Sequence, residues 1–162
     1  MVFTQRYASP LGGILLAADG QGLTGLWFDG AKYFAANLPE ERTEKNTPIL
    51  AEAARWLDMY FAGRQPDFTP PLHLVGSDFR RRVWKRLLEI PYGQTAAYGE
   101  LLGGSVSAQA VGGAVGHNLI SIIVPCHRVI GANGSLTGYA GGIEKKRRLL
   151  ALEGVDTTRI SD

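Results

Sequence analysis

Between residues 65 and 76 the chain carries three prolines, Pro66, Pro70 and Pro71, and the hydrophobic pattern differs on the two sides. Proline locks φ and gives up a backbone donor, so neither a helix nor a central strand runs through such a stretch. A boundary between two folding units is therefore expected here, giving residues 1–72 and 73–162. Before it, Ile14-Leu15-Leu16-Ala17-Ala18 and Leu23-Thr24-Gly25-Leu26-Trp27-Phe28 flank Asp19-Gly20-Gln21-Gly22, short strands about a turn. A loop holding Pro39 and Pro48 follows. Residues 49–62 then repeat at helical spacing through Leu50, Ala54, Leu57, Tyr60 and Phe61, and Gly63 stops them.

Beyond the prolines the pattern is mostly helical. Ser77 is the expected N-cap of a helix that buries Phe79, Val83, Trp84, Leu87 and Leu88 and ends at Pro91-Tyr92-Gly93. Thr95 is expected to cap a short helix, Ala96 to Leu102, Gly103-Gly104 to turn the chain, and Ser107 to cap a second helix, Ala108 to about Val115: a helix-turn-helix layout. The second helix is nearly bare, with Ala108, Ala110, Gly112, Gly113 and Ala114. Each glycine costs ~1 kcal/mol of helix propensity relative to alanine. Close approach to another surface would explain that cost, either a neighbouring helix or the minor groove of DNA, which at ~6 Å is half the width of the major groove. Gly131-Ala132-Asn133-Gly134 reads as a turn. The glycine-rich Thr137-Gly138-Tyr139-Ala140-Gly141-Gly142 follows, then a basic helix from Glu144 to Leu152 closed by Glu153-Gly154.

Net charge is only +2, but it is unevenly spread. Residues 1–76 hold six Lys/Arg against eight Asp/Glu, and residues 77–162 hold eleven against seven. Two clusters, Arg80-Arg81-Arg82 with Lys85-Arg86 and Lys145-Lys146-Arg147-Arg148, would give the second half a basic surface suited to a polyanion or simply solvated helix faces. No apolar run approaches a membrane span, and the N-terminus has no basic then apolar signal pattern, so a cytoplasmic protein is expected.

The chain has one cysteine, in Ile122-Ile123-Val124-Pro125-Cys126-His127-Arg128-Val129. A lone thiol builds no disulfide framework, so Cys126 is either core filling or chemistry. Adjacent positive charge favours a thiolate, which leans the reading toward a nucleophile. His73, His117, His127 and Cys126 lack zinc spacing, and residues 1–72 contain no Cys or His; no metal or cofactor is expected.

Residues 78–154 resemble the O6-alkylguanine-DNA alkyltransferases, also called methylated-DNA–protein-cysteine methyltransferases. The resemblance runs through Phe79-x3-Val83-Trp84, Ile90-Pro91-Tyr92-Gly93, Tyr98-Gly99-Glu100-Leu101, Ala110-Val111-Gly112-Gly113-Ala114, Asn118, Ile123 to Gly131, Leu136 to Gly142 and Leu152-Glu153-Gly154. Ser9-Pro10-Leu11-Gly12 carries a weaker likeness in the first third. The resemblance implies an α+β fold: a small antiparallel-sheet, ribonuclease-like N-terminal supporting domain and a mostly helical, winged-helix-like C-terminal domain with a helix-turn-helix. It implies a monomer that needs no protein partner or membrane and acts on duplex DNA bearing O6-alkylguanine, with O4-alkylthymine as a further substrate. The base would be flipped out and its alkyl group moved irreversibly to Cys126.

The same resemblance assigns roles. His127 would take the thiol proton through a water, since neighbours in extended chain point apart, and Glu153 would orient the imidazole. Tyr98 would bond the guanine ring at N3. The carbonyls of Cys126 and Val129 would accept from the exocyclic amine, the Ala140 N–H would donate to O6, and Tyr139 would wall the pocket. Asn118 would brace the helix-turn-helix against the cysteine loop, and Arg128 would make structural contacts only. Ser107, Ala108, Gln109, Ala110 and Gly112 would meet DNA. Gln109 stands where much of the family has an arginine that fills the gap left by the flipped base, the turn before Ser107 is short, and Leu119 replaces a common proline, which would loosen the approach to the cysteine. Three other classes stay open from the residues: a lesion-recognition protein of the alkyltransferase-like kind, a helix-turn-helix transcription factor, and a thiol hydrolase with an oxyanion hole.

Overall fold

The computed structural model describes residues 1–103, 106–136 and 138–159. Two compact units are formed. The first takes in Met1–Val75 together with Leu119–Ser121, and the second Gly76–Asn118 and the chain from Ile122 onward.

In the first unit β1 (Val2–Ser9), β2 (Gly12–Ala18) and β3 (Leu23–Phe28) form an antiparallel meander. A fourth strand, β4 (Arg42–Glu44), adds to β1 in parallel, giving the order β3-β2-β1-β4 and making the sheet mixed rather than wholly antiparallel. Residues 29–41 are long enough for the chain to return in the same direction, which a tight hairpin does not allow. The helix α1 (Pro48–Phe61) covers the sheet with Leu50, Ala53, Trp56, Leu57 and Tyr60. Pro48 belongs to this helix and not to the preceding loop. It sits in the first turn, where its missing N–H is no loss, and the Thr47 hydroxyl accepts from the Leu50 N–H at 3.3 Å. Leu119–Ser121 lie beside β3: the Leu26 N–H donates to the Leu119 carbonyl at 2.8 Å, and the Ser121 N–H donates to the Leu26 carbonyl at 3.0 Å. Leu119 is thus tied to β3 through its carbonyl.

In the second unit α2 (Asp78–Leu87) is capped by Ser77 and buries Val83, Trp84 and Leu87. Leu88, expected in the buried stripe, is the C-cap of this helix and is exposed. The short helix expected after Thr95 does not form. Ala96–Ala97 is instead a strand, β5, paired in parallel with β6 (Val129–Ile130), and Tyr98–Glu100 make a single 3-10 turn. The backbone of residues 96–97 finds its partners in β6, and Glu100 closes the turn by accepting from the Ala97 N–H at 3.1 Å. Gly104 of the expected Gly103-Gly104 turn, and Thr137 of the glycine-rich segment, lie outside the described residues. α3 (Ala108–Gly116) follows, capped by Ser107, whose hydroxyl accepts from the Ala110 N–H at 3.1 Å. The Trp84 indole N–H donates to the Ala114 carbonyl at 2.9 Å inside the core and so fixes α3 on α2. The last long helix, α4 (Ile143–Leu152), ends at Glu153. Among the described residues no helix is long and apolar enough to cross a membrane.

Candidate active site

The cysteine loop is built on one carbonyl. Pro125, at φ −82° and ψ 65°, is the centre of an inverse γ-turn in which the Cys126 N–H donates to the Val124 carbonyl at 2.8 Å. The same carbonyl accepts from Nδ2 of Asn118, also at 2.8 Å, so the end of α3 and the nucleophile's backbone share an anchor. Just upstream, the buried Ile122 sits at φ 71°. A β-branched residue in the left-handed region stores strain of order 1–3 kcal/mol, and such strain collects where a loop must hold a functional shape.

Cys126–Arg128 form a 3-10 turn, not the extended chain expected. Successive side chains of such a turn diverge by about 120°, so Cys126 and His127 still point apart. Cys126 faces a cleft, and His127 turns into the core. The imidazole is wholly buried and its Nε2 lies 2.6 Å from Oε2 of Glu153. A carboxylate only accepts, so Nε2 carries the proton and Nδ1 keeps its lone pair. The other carboxylate oxygen, Oε1, accepts from Nε of Arg128 at 2.8 Å and from the Gly93 N–H at 3.0 Å.

Burial sets the electrostatics. It pushes the Cys126 thiol up, and the Asn118 hydrogen bond and the positive charge of Lys146 pull it part of the way back. Burial pushes His127 down, and Glu153 opposes that, leaving a neutral base at rest. Burial would raise Glu153, but hydrogen bonds and charge from His127 and Arg128 override it and hold the carboxyl at about 2. Lys146, distant in sequence, is thus a cation that bears on the sulfur.

Sequence reasoning missed Lys146, which it grouped with a solvated basic run. It has no exposed surface, and burial brings its ammonium down to about 8. A signal was there: Lys146 lies three and four residues before the buried Leu149 and Leu150, on the inner face of α4. Lys145, Arg147 and Arg148 fall on other faces.

Cys126 lines a small cleft, open to solvent, together with Tyr98, Asn118, Tyr139, Ala140 and Gly112. The residues singled out from the sequence for the reacting group are thus brought together, with His127 and Glu153 buried behind Cys126. Val129 is not in the cleft lining. It is buried in β6, and its N–H donates to the Cys126 carbonyl, using one of the two lone pairs assigned to the substrate amine.

Of the residues assigned to DNA, Ser107, Ala108, Gln109 and Ala110 are exposed at the start of α3, and Gly112 is half-buried. The small residues do not share one cause. A methyl at Gly112 would meet the Tyr98 ring at 3.7 Å, an ordinary contact, whereas at Gly113 and Gly116 it would meet nothing within 4 Å. Packing inside the protein therefore does not require Gly113. An open groove beside it is lined by Ser77, Arg80, Gln109, Ala110 and His117.

Two family models match: the DNA-binding domain of 6-O-methylguanine DNA methyltransferase over residues 78–155, and its ribonuclease-like domain over residues 2–74. The methylated-DNA–protein-cysteine methyltransferase of Mycobacterium tuberculosis is 46% identical over 158 residues, covering 94% of this chain and 93% of the relative. That of Methanosarcina acetivorans is 47% identical, covering 91% and 96%. The crystal structure of Mycobacterium tuberculosis OGT in complex with DNA superposes with a TM-score of 0.84 at 44% identity, covering 98% of this chain and 95% of that one. With both halves matched by the family's models and relatives alike over most of their length, this chain belongs to the 6-O-methylguanine DNA methyltransferase family.

Proposed function

We propose that this chain repairs O6-alkylguanine, and also O4-alkylthymine, in duplex DNA by moving the alkyl group once and irreversibly to Cys126. Methyl transfer from DNA to a protein cysteine is the activity of the family to which it belongs. The observation that carries the finer reading is the cleft that joins Cys126 to Tyr98, Tyr139 and Ala140, directly behind the slim helix α3.

A base inside a duplex cannot reach a buried sulfur, so the damaged nucleotide is rotated out of the stack at a cost of a few kcal/mol, least for a mispaired base. α3, bare at Ala108, Ala110 and Gly113, enters the minor groove, and Gln109 stands at the vacated position. The thiol proton passes to Nδ1 of His127 through a water, and Glu153 stabilises the imidazolium. Asn118 and Lys146 favour the thiolate as it forms. Sγ attacks the alkyl carbon, the carbon–O6 bond breaks, and its electron pair leaves with the guanine. Tyr98 donates to N3 of that base, and the Ala140 N–H donates to O6. A thioether is a poor leaving group, so the protein is spent after one event. The new alkyl group then crowds a site where Cys126 is only 5% exposed, and the alkylated protein melts lower.

The test is intact mass after incubation with a duplex carrying one O6-methylguanine. One added methyl per chain, absent in Cys126→Ala, is expected. Lesion-specific binding without a mass change would make the chain a recognition protein, and repeated turnover of a thioester would make it a hydrolase.

A further inference from the structure

Arg128 spends both ends of its fork. Nε–H donates to Oε1 of Glu153 at 2.8 Å, and Nη1–H donates to the Ile90 carbonyl at 2.8 Å. Its guanidinium carbon lies 5.7 Å from the centroid of the Tyr92 ring. Gly93, next in the same turn, donates its N–H to the same Oε1 at 3.0 Å. One turn, Ile90–Gly93, therefore holds the guanidinium from one side and the carboxylate from the other. Arg128 Nε–H and the Gly93 N–H thus meet on Oε1, while Oε2 accepts from His127.

We propose that Arg128, clamped by the Ile90–Gly93 turn, is a positioning residue for the transfer: it keeps the Glu153 carboxylate ionised and aimed, which holds the imidazole proton on Nε2 and leaves Nδ1 to take the thiol proton. The proposal rests on the reading of Cys126 and His127 given above. Its physical basis is the cost of a buried charge. A carboxylate stripped of its cation in this core takes up a proton rather than stay ionised. The His127–Glu153 pair then holds one proton too many. As imidazolium, or as a carboxylic acid donating to Nε2 with the ring proton moved to Nδ1, it leaves Nδ1 no lone pair to offer; with the proton on Oε1, Nδ1 keeps its lone pair but the imidazolium formed on taking the thiol proton has lost its stabilising anion. The groups that bear on this pair are Arg128 and Cys126 in the turn, Tyr92 in the loop after α2, and Lys146 on α4. Loss of one cation from that set makes every proton in it harder to remove.

The experiment follows two rates against pH on the full-length protein: single-turnover methyl transfer from O6-methylguanine duplex, and alkylation of Cys126 by iodoacetamide without DNA. In Arg128→Met the midpoint of the acid limb is expected to rise by about one pH unit or more in both profiles. Arg128→Lys keeps the charge but not the fork; its maximal rate falls and its midpoint stays within a few tenths of a unit of the parent. Should Arg128→Met not fold, Tyr92→Leu, which uncovers the guanidinium to water, is expected to move the midpoint the same way by a smaller amount. A lower rate at every pH with an unmoved midpoint, or an equal shift in Arg128→Lys and Arg128→Met, would overturn the proposal and leave Arg128 a packing residue. A parent protein that transfers no methyl but whose iodoacetamide profile shifts would refute the DNA-repair reading and not this one.

Discussion

Nε2–H of His127 donates to Oε2 of Glu153 at 2.6 Å, and neither side chain has any exposed surface. Their pairing makes Glu153 both the orienter of the base and a titrating element of the fold. Its folded value, about 2, lies below the ordinary 4.5, so the stability it contributes is complete above pH 4.5 and is lost as pH falls toward 2. The difference corresponds to roughly 3 kcal/mol. Urea midpoints measured between pH 5 and 2 should fall steeply in the parent. Glu153→Gln should be destabilised at neutral pH by about 3 kcal/mol or more, because Arg128 is left buried without its anion, and should lack most of that acid dependence. Its methyl transfer should drop at least about a hundredfold.

Lys146 sets function against stability. Its ammonium is brought by burial to about 8 from 10.5, so the charged form costs the fold roughly 3 kcal/mol below pH 8, and that cost fades as pH rises toward 10.5. Lys146→Met should melt higher than the parent at pH 7, with the gap closing by pH 10. Its Cys126 should react with iodoacetamide at least about fivefold more slowly at pH 7, since the thiolate loses its neighbouring cation. A variant that melts lower at pH 7 would show that the lysine stabilises the fold.

Gly113 separates packing from binding. A methyl there meets nothing within 4 Å, so Gly113→Ala should raise stability by up to about 1 kcal/mol through helix propensity alone. If the bare face of α3 is what DNA approaches, the same variant should bind duplex DNA more weakly. Thermal melting and a binding titration on one preparation check both halves.

Gln109 is exposed at the second position of α3. Gln109→Arg should bind lesion-bearing duplex more tightly at a fixed salt concentration, and the slope of log affinity against log salt should steepen by about one if the new charge reaches a phosphate. Equal affinity at every salt would mean that position 109 does not meet DNA.

Local chemistry written along the chain made much of this protein legible before any coordinates. The Ser77 and Ser107 caps and the glycine-stripped helix act within a few residues of themselves, and each lies where its spacing implied. Cys126, Tyr98, Asn118, Tyr139 and Ala140 were found as ordered segments matching a family, and the fold gathers them around one cleft. Other features depended on partners distant in sequence. β4 pairs in parallel because of where the chain returns. Residues 96–97 are a strand because β6 lies beside them, although their local composition favours a helix. The charges divided in the same way. Sequence places His127 and Arg128 next to the thiol, but the 3-10 turn sends both toward Glu153, 26 and 25 residues away, while α4 brings in Lys146. Sequence by itself determined which residues are available for chemistry. Only the tertiary structure decided which charge meets which, because burial and through-space distance, not adjacency along the chain, set the energy of a charge.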